Sequence, residues 1–341
     1  MVKIKDLAQA AGVAISTVSS VLNHPGSGKA SLATQKRILR LAADLDYQPN
    51  KVARGLRAGR SYLLAFLRQE FFSSMVSTSF CGAEQCAHRH GYGLVLTSYT
   101  DFEDCRKRVE QLLRNRIDGI VFADCMTSPY VDLFQEVSRK IPVVNLFHHS
   151  PLVGVASVFV DGRAMGVLAA EYLYRLGHRQ ILILGSRPHC CEAFQSCFSS
   201  LCGNSGHLFH FPEFHSFEDG MQAWDRLQKE SLPVSAVFAS NDLNAAGIIY
   251  AALKCGKCLP ADLSILGTDN YRIGEMTYPR LSTIAQPQQE QGAAAVDLLM
   301  KRMISSESQP DVILQPYLIE RESCSVLPSG VTINSLRPLS P

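Results

Sequence analysis

One short stretch of this 341-residue chain carries side chains suited to gripping a regular charged polymer. Ile15, Ser16, Thr17, Ser19, Ser20 and Asn23 fall on the outward face of a helix whose inward stripe is Val18, Val21 and Leu22. Short hydroxyls and a carboxamide reach phosphate oxygens and base edges, and Ile15 suits a thymine methyl. Ile15 and Ser16 lead the helix and are the candidate base contacts; Thr17, Ser19 and Asn23 are candidate phosphate anchors. A first helix precedes it, with Leu7, Ala8, Ala11 and Val13 at helical spacing, and it breaks at Gly12, where a positive φ is easiest. Two helices around a tight turn make the helix-turn-helix shape, whose second helix fits the major groove. A small helical bundle with water-facing serines has the same pattern, and charge separates the two. Residues 1–60 hold ten Lys or Arg, Lys3 and Lys5 among them, against three acids. That is +7 in a chain of net +2, leaving −5 for the rest. A basic head on a mildly acidic body is the electrostatic footprint of DNA binding.

The rest of the chain offers no catalytic motif. G-x-S-x-G, H-E-x-x-H, P-loop and G-x-G-x-x-G patterns are missing, and the histidines make no Ser/His/Asp arrangement, so an enzyme is rejected. The eleven cysteines include one C-x-x-C, Cys255 to Cys258, and a cluster of His189, Cys190, Cys191, Cys197 and Cys202. Structural zinc sites need two tuned pairs, so the expectation is packed thiols, with no metal and no cofactor. No run approaches 18 apolar residues and no secretory signal is visible. The expected compartment is the cytoplasm, with the thiols reduced.

The elements that position these groups follow from the pattern. Ser31 caps a third helix whose expected buried face is Ile38, Leu39, Leu41, Ala42 and Leu45, and Pro49 ends it. Residues 49–60 are basic and poor in core residues. Beyond them, strands at 62–67, 93–97, 119–123 and 142–146 alternate with helices at 73–89, 103–116 and 130–139. A second series has strands at 158–160, 180–185, 236–239 and 263–267, with helices near 164–176, 190–202, 217–230, 242–255 and 288–304. Such alternation implies doubly wound parallel sheets in two lobes, with a cleft at the strand ends.

The runs K-D-L-A-Q-A-A-G-V-A-I-S-T-V-S-S-V-L-N and Y-Q-P-N-K-V-A-R-G-L-R-A-G-R-S resemble the DNA-binding head of the lac/gal repressor family, and the likeness continues to about residue 325. The fold implied is an N-terminal all-α helix-turn-helix head plus an α/β bilobal, periplasmic-binding-protein-like core of two doubly wound parallel sheets joined by three chain crossings. The expected division is a head at 1–48, a hinge at 49–60, a core at 61–325 and a disordered tail at 326–341. Within the core, the first lobe covers about 61–157 plus a late crossing segment, and the second about 158–285. The resemblance implies a cytoplasmic homodimeric transcriptional repressor on a pseudo-palindromic double-stranded operator, its operator affinity modulated by a small-molecule effector such as a sugar or related metabolite. It also makes 49–60 a hinge helix formed on DNA, with Leu56 as a minor-groove wedge and Asn50, Ala53, Arg54 and Arg57 beside it.

Candidate effector contacts are Phe71, Phe72, Phe147, His148, Asp161, Arg187, His215, Asn241, Asp242, Asp269 and Gln286. Asp242 is the leading one, as an acceptor for two hydroxyls of a polyol or as a helix cap; the roles are compatible. Phe71 and Phe72 are an apolar wall or core, and Asp269 is read as ordering its own loop. Four departures from the family stand out. Ser20 replaces a frequent arginine in the reading helix, and Ala14 a frequent serine cap. Glu192, Ala193 or Phe194 occupies the place of a sugar-clamping arginine, with Cys197 for a glycine, and Phe147-His148 replaces Asp-Arg. The effector is therefore expected to be atypical, or to have lost control of the protein, unless Arg187 reaches in. Two other readings remain: a redox- or metal-responsive DNA-binding regulator, and a solute-binding module without DNA function.

Overall fold

The computed structural model describes residues 2–23, 30–47, 59–69, 74–305, 307 and 309–327. Positions 48–58, which include Asn50, Ala53, Arg54, Leu56 and Arg57, lie outside the described residues. So do Phe71 and Phe72, and the tail from 328 onward. The chain divides into two compact units, Met1–Tyr62 and Leu63–Pro341.

The first unit is a trihelical head: α1 (Ile4–Ala11), α2 (Ile15–Asn23) and α3 (Leu32–Asp44). Its core is small: Leu7, Ala8, Ala11, Val18, Val21 and Ile38 are buried together, with Leu22, Leu41, Ala42 and Tyr47 against them. Gly12 ends α1 at φ 61°, as its position requires. Ser31 Oγ accepts from the Thr34 amide at 3.3 Å, capping α3. Two residues expected in the core are outside it: Leu39 is 46% and Leu45 38% exposed. Ile38 is the fully buried residue of α3, with Leu41 and Ala42 packed beside it, and a helix of this size turns only one narrow stripe inward.

The second unit contains two six-stranded sheets. The first joins β1 (Leu63–Arg68), β2 (Gly93–Ser98), β3 (Gly119–Phe122), β4 (Val143–Leu146), β5 (Ser157–Val160) and β11 (Val312–Leu314). Its order is β2-β1-β3-β4-β5-β11, all parallel. The second joins β6 (Gln180–Leu184), β7 (His207–Phe211), β8 (Ala236–Ala239), β9 (Ser264–Asp269), β10 (Ser282–Ala285) and β12 (Tyr317–Ile319), in the order β7-β6-β8-β9-β10-β12 with only β12 antiparallel. Helices α4 (Ser74–Arg89), α5 (Phe102–Arg114), α6 (Tyr130–Ser138) and α12 (Gln288–Ile304) serve the first lobe. The second lobe carries α7 (Gly162–Arg175), α8 (Pro188–Cys202), α9 (Phe217–Lys229), α10 (Asp242–Lys254) and the short α11 (Ile273–Met276). The central strands are unbroken apolar runs because helices cover both faces.

Chain order gives three crossings between lobes: β5 to α7, β10 to α12, and β11 to β12. Strand β5 pairs with β4, so residues 158–160 belong to the first lobe and not to the second series. The run was too short to show which sheet it joins; only the pairing partner decides that. β2 was expected to be buried, but it is an edge strand with Val95 and Leu96 exposed. At the other end, the Leu327 amide donates to Leu176 O at 2.8 Å, so ordered chain continues two residues past the expected end of the core. No described helix is long and apolar enough to cross a membrane.

Candidate functional site

In the head, the turn after Gly12 sets α2 with Val18 and Val21 inward, which leaves the other face outward. Ile15 is 39% exposed at the first position of the helix, Ser16 is exposed, and Thr17, Ser19 and Ser20 are half-buried. An exposed isoleucine at a helix start contributes nothing to the head's own core. The Ala14 carbonyl accepts from the Thr17 and Val18 amides at 2.9 and 3.2 Å, but its methyl cannot cap the turn as a hydroxyl would. Lys3 and Lys5 are exposed; the Lys3 amide donates to Asp6 Oδ2 at 2.9 Å, fixing the start of α1. Among its described residues, the unit presents one polar helix face on α2, with Lys3 and Lys5 exposed at the start of α1.

In the core, the cleft is built from the carboxyl ends of the strands, and many of its residues differ from those expected. On the first lobe, Arg68 ends β1 and donates through Nη1 to Ala123 O at 2.5 Å. Its Nη1 also stands 3.5 Å from Asp124 Oδ1, and the guanidinium lies 5.9 Å from the centre of the Phe147 ring. Asp124 Oδ2 accepts from Tyr99 Oη at 3.0 Å and from the Gln69 amide at 3.1 Å. Phe147 has φ 76°, a left-handed turn that carries the chain off β4. The buried Asn145 holds that turn by donating to His148 O at 2.7 Å, leaving the His148 ring exposed.

On the second lobe, Gly185 follows β6 at φ 86° and touches the next strand end so closely that a Cβ would sit 2.0 Å from Ser240 Oγ. The chain then turns to Arg187, whose Nη2 donates to Asp269 Oδ2 at 2.7 Å. Asp269 is fully buried and sits at φ 100°. Its other oxygen accepts from Gln286 Nε2 at 2.5 Å and its carbonyl from Gln288 Nε2 at 2.6 Å. A buried carboxylate needs such partners, since an unpaired one costs several kcal/mol. The Arg187 side chain is 31% exposed, so its guanidinium is anchored at the back and open at the front. Asp269 and Tyr271 hold its pKa up despite the burial that pulls it down. Burial by the surrounding groups lowers the His148 pKa most, Asp124 opposes it, and Arg68 and Arg187 from the two lobes add to the lowering; Gln286 Nε2 lies 4.0 Å from Met75 Sδ. The two lobes therefore face one another across these groups.

Three expected contacts have structural duties. Asp242 is fully buried: Oδ1 accepts from Thr283 Oγ1 at 2.8 Å and Oδ2 from the Tyr271 amide at 2.6 Å. It ties β10 and the loop after β9 to the start of α10 and offers a ligand no exposed atom. Burial, and then the neighbouring Asp269 carboxylate, push its pKa up to about 8. The cap of α10 is Asn241, which accepts from the Asn244 amide at 2.9 Å and donates to His215 O at 3.0 Å. Asp161 caps α7 through the Arg163 and Ala164 amides at 2.9 and 3.1 Å. Asp269 orders its loop, as its sequence position suggested, and also orients Arg187. His215 is exposed at the rim, its amide on Asp219 Oδ2.

Arg68, Asp124, Tyr99 and Tyr271 were not singled out from sequence. The available signal was position: Arg68 ends a strand, and Asp124 lies two residues beyond one. The cysteine cluster does pack as expected. Cys190 and Cys191 are buried where α7 and α8 nearly touch, a Cβ on Gly166 falling 2.1 Å from Cys190 O. Burial pushes the Cys190 thiol up to about 12, away from reactivity. At the C-x-x-C, Cys255 Sγ accepts from Trp224 Nε1 at 3.4 Å, while Cys258 is exposed.

Comparisons with known proteins agree with this geometry. Residues 3–50 match "Bacterial regulatory proteins, lacI family", and residues 170–324 match "Periplasmic binding protein-like domain". The chain is 30% identical over 339 residues to the HTH-type transcriptional regulator DegA of Bacillus subtilis (strain 168), covering 95% of this chain and 98% of that one. It is 32% identical over 308 residues to the ribose operon repressor of the same organism, covering 88% and 91%. Its fold is similar to that of the lac repressor dimer bound to operator and the anti-inducer ONPF, with a TM-score of 0.78, 23% identity and 96% and 99% of the two chains covered.

Proposed function

This chain belongs to the lacI family of bacterial regulatory proteins, and from that premise we propose that it is a homodimeric repressor switched by a small polyhydroxylated metabolite in its inter-lobe cleft. That it is a DNA-binding regulator of transcription follows from its membership; the two relatives described above are named as a transcriptional regulator and an operon repressor. It works where the DNA is, in the bacterial cytoplasm. The observation that carries the reading is the face of α2: an exposed Ile15 and a run of short hydroxyls on the second helix of a +7 head. Ile15 and Ser16 read bases, Thr17, Ser19 and Asn23 hold phosphates, and Lys3 and Lys5 add sequence-independent attraction. Ser20 gives up the bidentate guanine contact an arginine would make, which shifts operator preference by about 1–3 kcal/mol per half-site. Leu56, flanked by Arg54 and Arg57, is assigned the minor-groove wedge, with Asn50 and Ala53 on the same hinge.

In the cleft, the Arg187 fork is the central ligand group, oriented from behind by Asp269 and accompanied by Gln286, His148, His215, Arg68, Asp124 and the Phe147 ring. Paired guanidiniums and carboxylates beside an aromatic face suit vicinal hydroxyls. Arg187 thus supplies the clamp that the replaced arginine would have given, from a different point on the chain. The dimer is supported by α10, which turns Leu243, Tyr250 and Leu253 outward beside α11, where Met276 and Tyr278 are also exposed. Ligand contacts made by both lobes alter their relative setting and so the hinges. A tenfold loss of operator affinity needs about 1.4 kcal/mol of coupling.

The test is selection of bound sequences from a random DNA pool by the full-length protein at fixed salt. The expected result is a pseudo-palindrome with a bendable central step, lost in Leu56→Ala. Recovery of only sequence-blind, salt-sensitive binding would remove the repressor reading and leave a solute-binding module with a basic extension.

A further inference from the structure

Outside both sites, the end of α4 and α12 bring together three side chains of metal-binding type, one of them more than 200 residues from the other two. Cys86 Sγ lies 3.1 Å from Asp297 Oδ1, and His90 Nε2 lies 2.8 Å from the same oxygen. All three donor atoms fall within 4.8 Å of one another. We propose that Cys86, His90 and Asp297 form a binding site for a borderline divalent cation of the zinc class, clamping α4 to α12.

The placement has a cause in the backbone. The two helices run so close that a Cβ on Gly82 would fall 2.0 Å from Gln289 O, and one on Gly292 1.7 Å from Ser79 O. Two glycines thereby set the axis separation one turn before the cluster. Cys86 lies on α4, and His90 is the residue just past its end, where its amide donates to Cys86 O at 3.2 Å and keeps the two side chains close. Asp297 reaches them from α12. Two of the three groups are thus carried by packed helices, and the third by a turn hydrogen-bonded to one of them.

The donor set is selective. A thiolate with an imidazole favours zinc, cobalt or copper over magnesium or calcium, which prefer oxygen. Tetrahedral zinc with bonds of about 2.3 Å to sulfur and 2.0–2.2 Å to nitrogen and oxygen places sulfur and oxygen about 3.6 Å apart, and nitrogen and oxygen about 3.4 Å apart. The separations of sulfur and nitrogen from the Asp297 oxygen, 3.1 and 2.8 Å, are shorter by roughly half an ångström, so that oxygen needs only a small outward shift to admit the ion. Cys86 is buried, while His90 and Asp297 are 39% and 51% exposed on their side chains, so the ion enters from the solvent side and water takes the fourth position. Binding replaces the Cys86 S–H bond with a sulfur–metal bond and releases that proton to solvent; His90 binds as the neutral ring through Nε2. Burial and Asp297 together push the thiol up to about 11, and the incoming ion neutralises that carboxylate. Arg89 is the nearby opposing charge: it favours the thiolate but repels the cation. Within the structure this joint ties the body of the first lobe to the helix that starts beside Asp269 through Gln288.

The experiment uses full-length protein stripped with a chelator and titrated with Co²⁺, a spectroscopic substitute for zinc. The expected result is a thiolate-to-cobalt charge-transfer band saturating at one ion per chain and displaced by zinc. Cys86→Ser abolishes the band. His90→Ala, at an exposed position where folding is insensitive, weakens binding by at least about tenfold. A Cys255→Ser/Cys258→Ser double variant keeps it, which sets the site apart from the C-x-x-C. Failure of the band to form at stoichiometric cobalt, its persistence in Cys86→Ser, or unchanged cobalt affinity in His90→Ala overturns the proposal.

Discussion

The head and the cleft use polar side chains in opposite ways. On α2 the functional groups are neighbours in sequence, project from one helix, and take no part in the core beneath them, which is Leu7, Val18 and Ile38. At the cleft the polar groups come from strand ends 20 to 200 residues apart, and most are consumed by one another: Asp242 by Thr283 and Tyr271, Asp269 by Arg187 and Gln286. The lesson is that stability and recognition are separable in the head and fused in the cleft. A head residue can be exchanged for a new operator; a cleft residue changed for a new ligand also disturbs the fold.

The largest effect should come from cutting the fused network. Arg187→Ala leaves the Asp269 carboxylate buried with only neutral donors, and is expected to cost about 3 kcal/mol of stability. Denaturant unfolding measures it, and adding Asp269→Asn should return part of the loss. Preservation of full stability in Arg187→Ala would dissolve the contrast. Next, Ile15→Ala should weaken operator binding by about 1–3 kcal/mol per half-site with the midpoint of thermal unfolding unchanged. A fall in that midpoint would show that the head, too, mixes the two roles.

A smaller, pH-dependent effect isolates Asp242. Its carboxyl is held at about 8 in the folded protein against about 3.9 when unfolded. Between those values the folded state binds the extra proton, so this group makes stability fall as pH rises through that window. Asp242→Asn should flatten the slope between pH 5 and 8, read from unfolding curves across that range. The smallest effect is expected at Leu39, whose exposed side chain packs nothing in the head. Leu39→Gln should stay within about 0.5 kcal/mol of the parent protein.

The same contrast explains what could be read in advance. Helical periodicity placed α1 to α3, Gly12 and the Ser31 cap to within a residue or so, because each rests on local spacing. The alternation of strands and helices placed most of the core for the same reason. Sheet membership was less legible: β5 reads as a short apolar run like any other, and only its pairing with β4 shows which lobe it finishes. The cleft was least legible. Asp242 has the type and strand-end position of a ligand group, but its burial depends on Thr283, about 40 residues later, and on a loop turned by Asp269. Arg187 could be named but not assigned, since its value depends on that same Asp269. Cys86, His90 and Asp297 gave no signal at all, because two glycines on separate helices bring them together.

The three crossings set the order in which the molecule can be completed. The first lobe begins at β1, but its covering helix α12 starts at residue 288 and its last strand ends at 314. Everything from α7 to β10 must be synthesised in between. At about 5–20 residues per second the half-built sheet waits roughly 6–25 s on the ribosome before α12 emerges. During that interval the α4 face around Gly82 and Cys86 has no partner. The second lobe is encoded in a shorter span, from β6 at residue 180 to β12 at 319, against 63 to 314 for the first. The lobe that starts first is therefore the one that stays open longest.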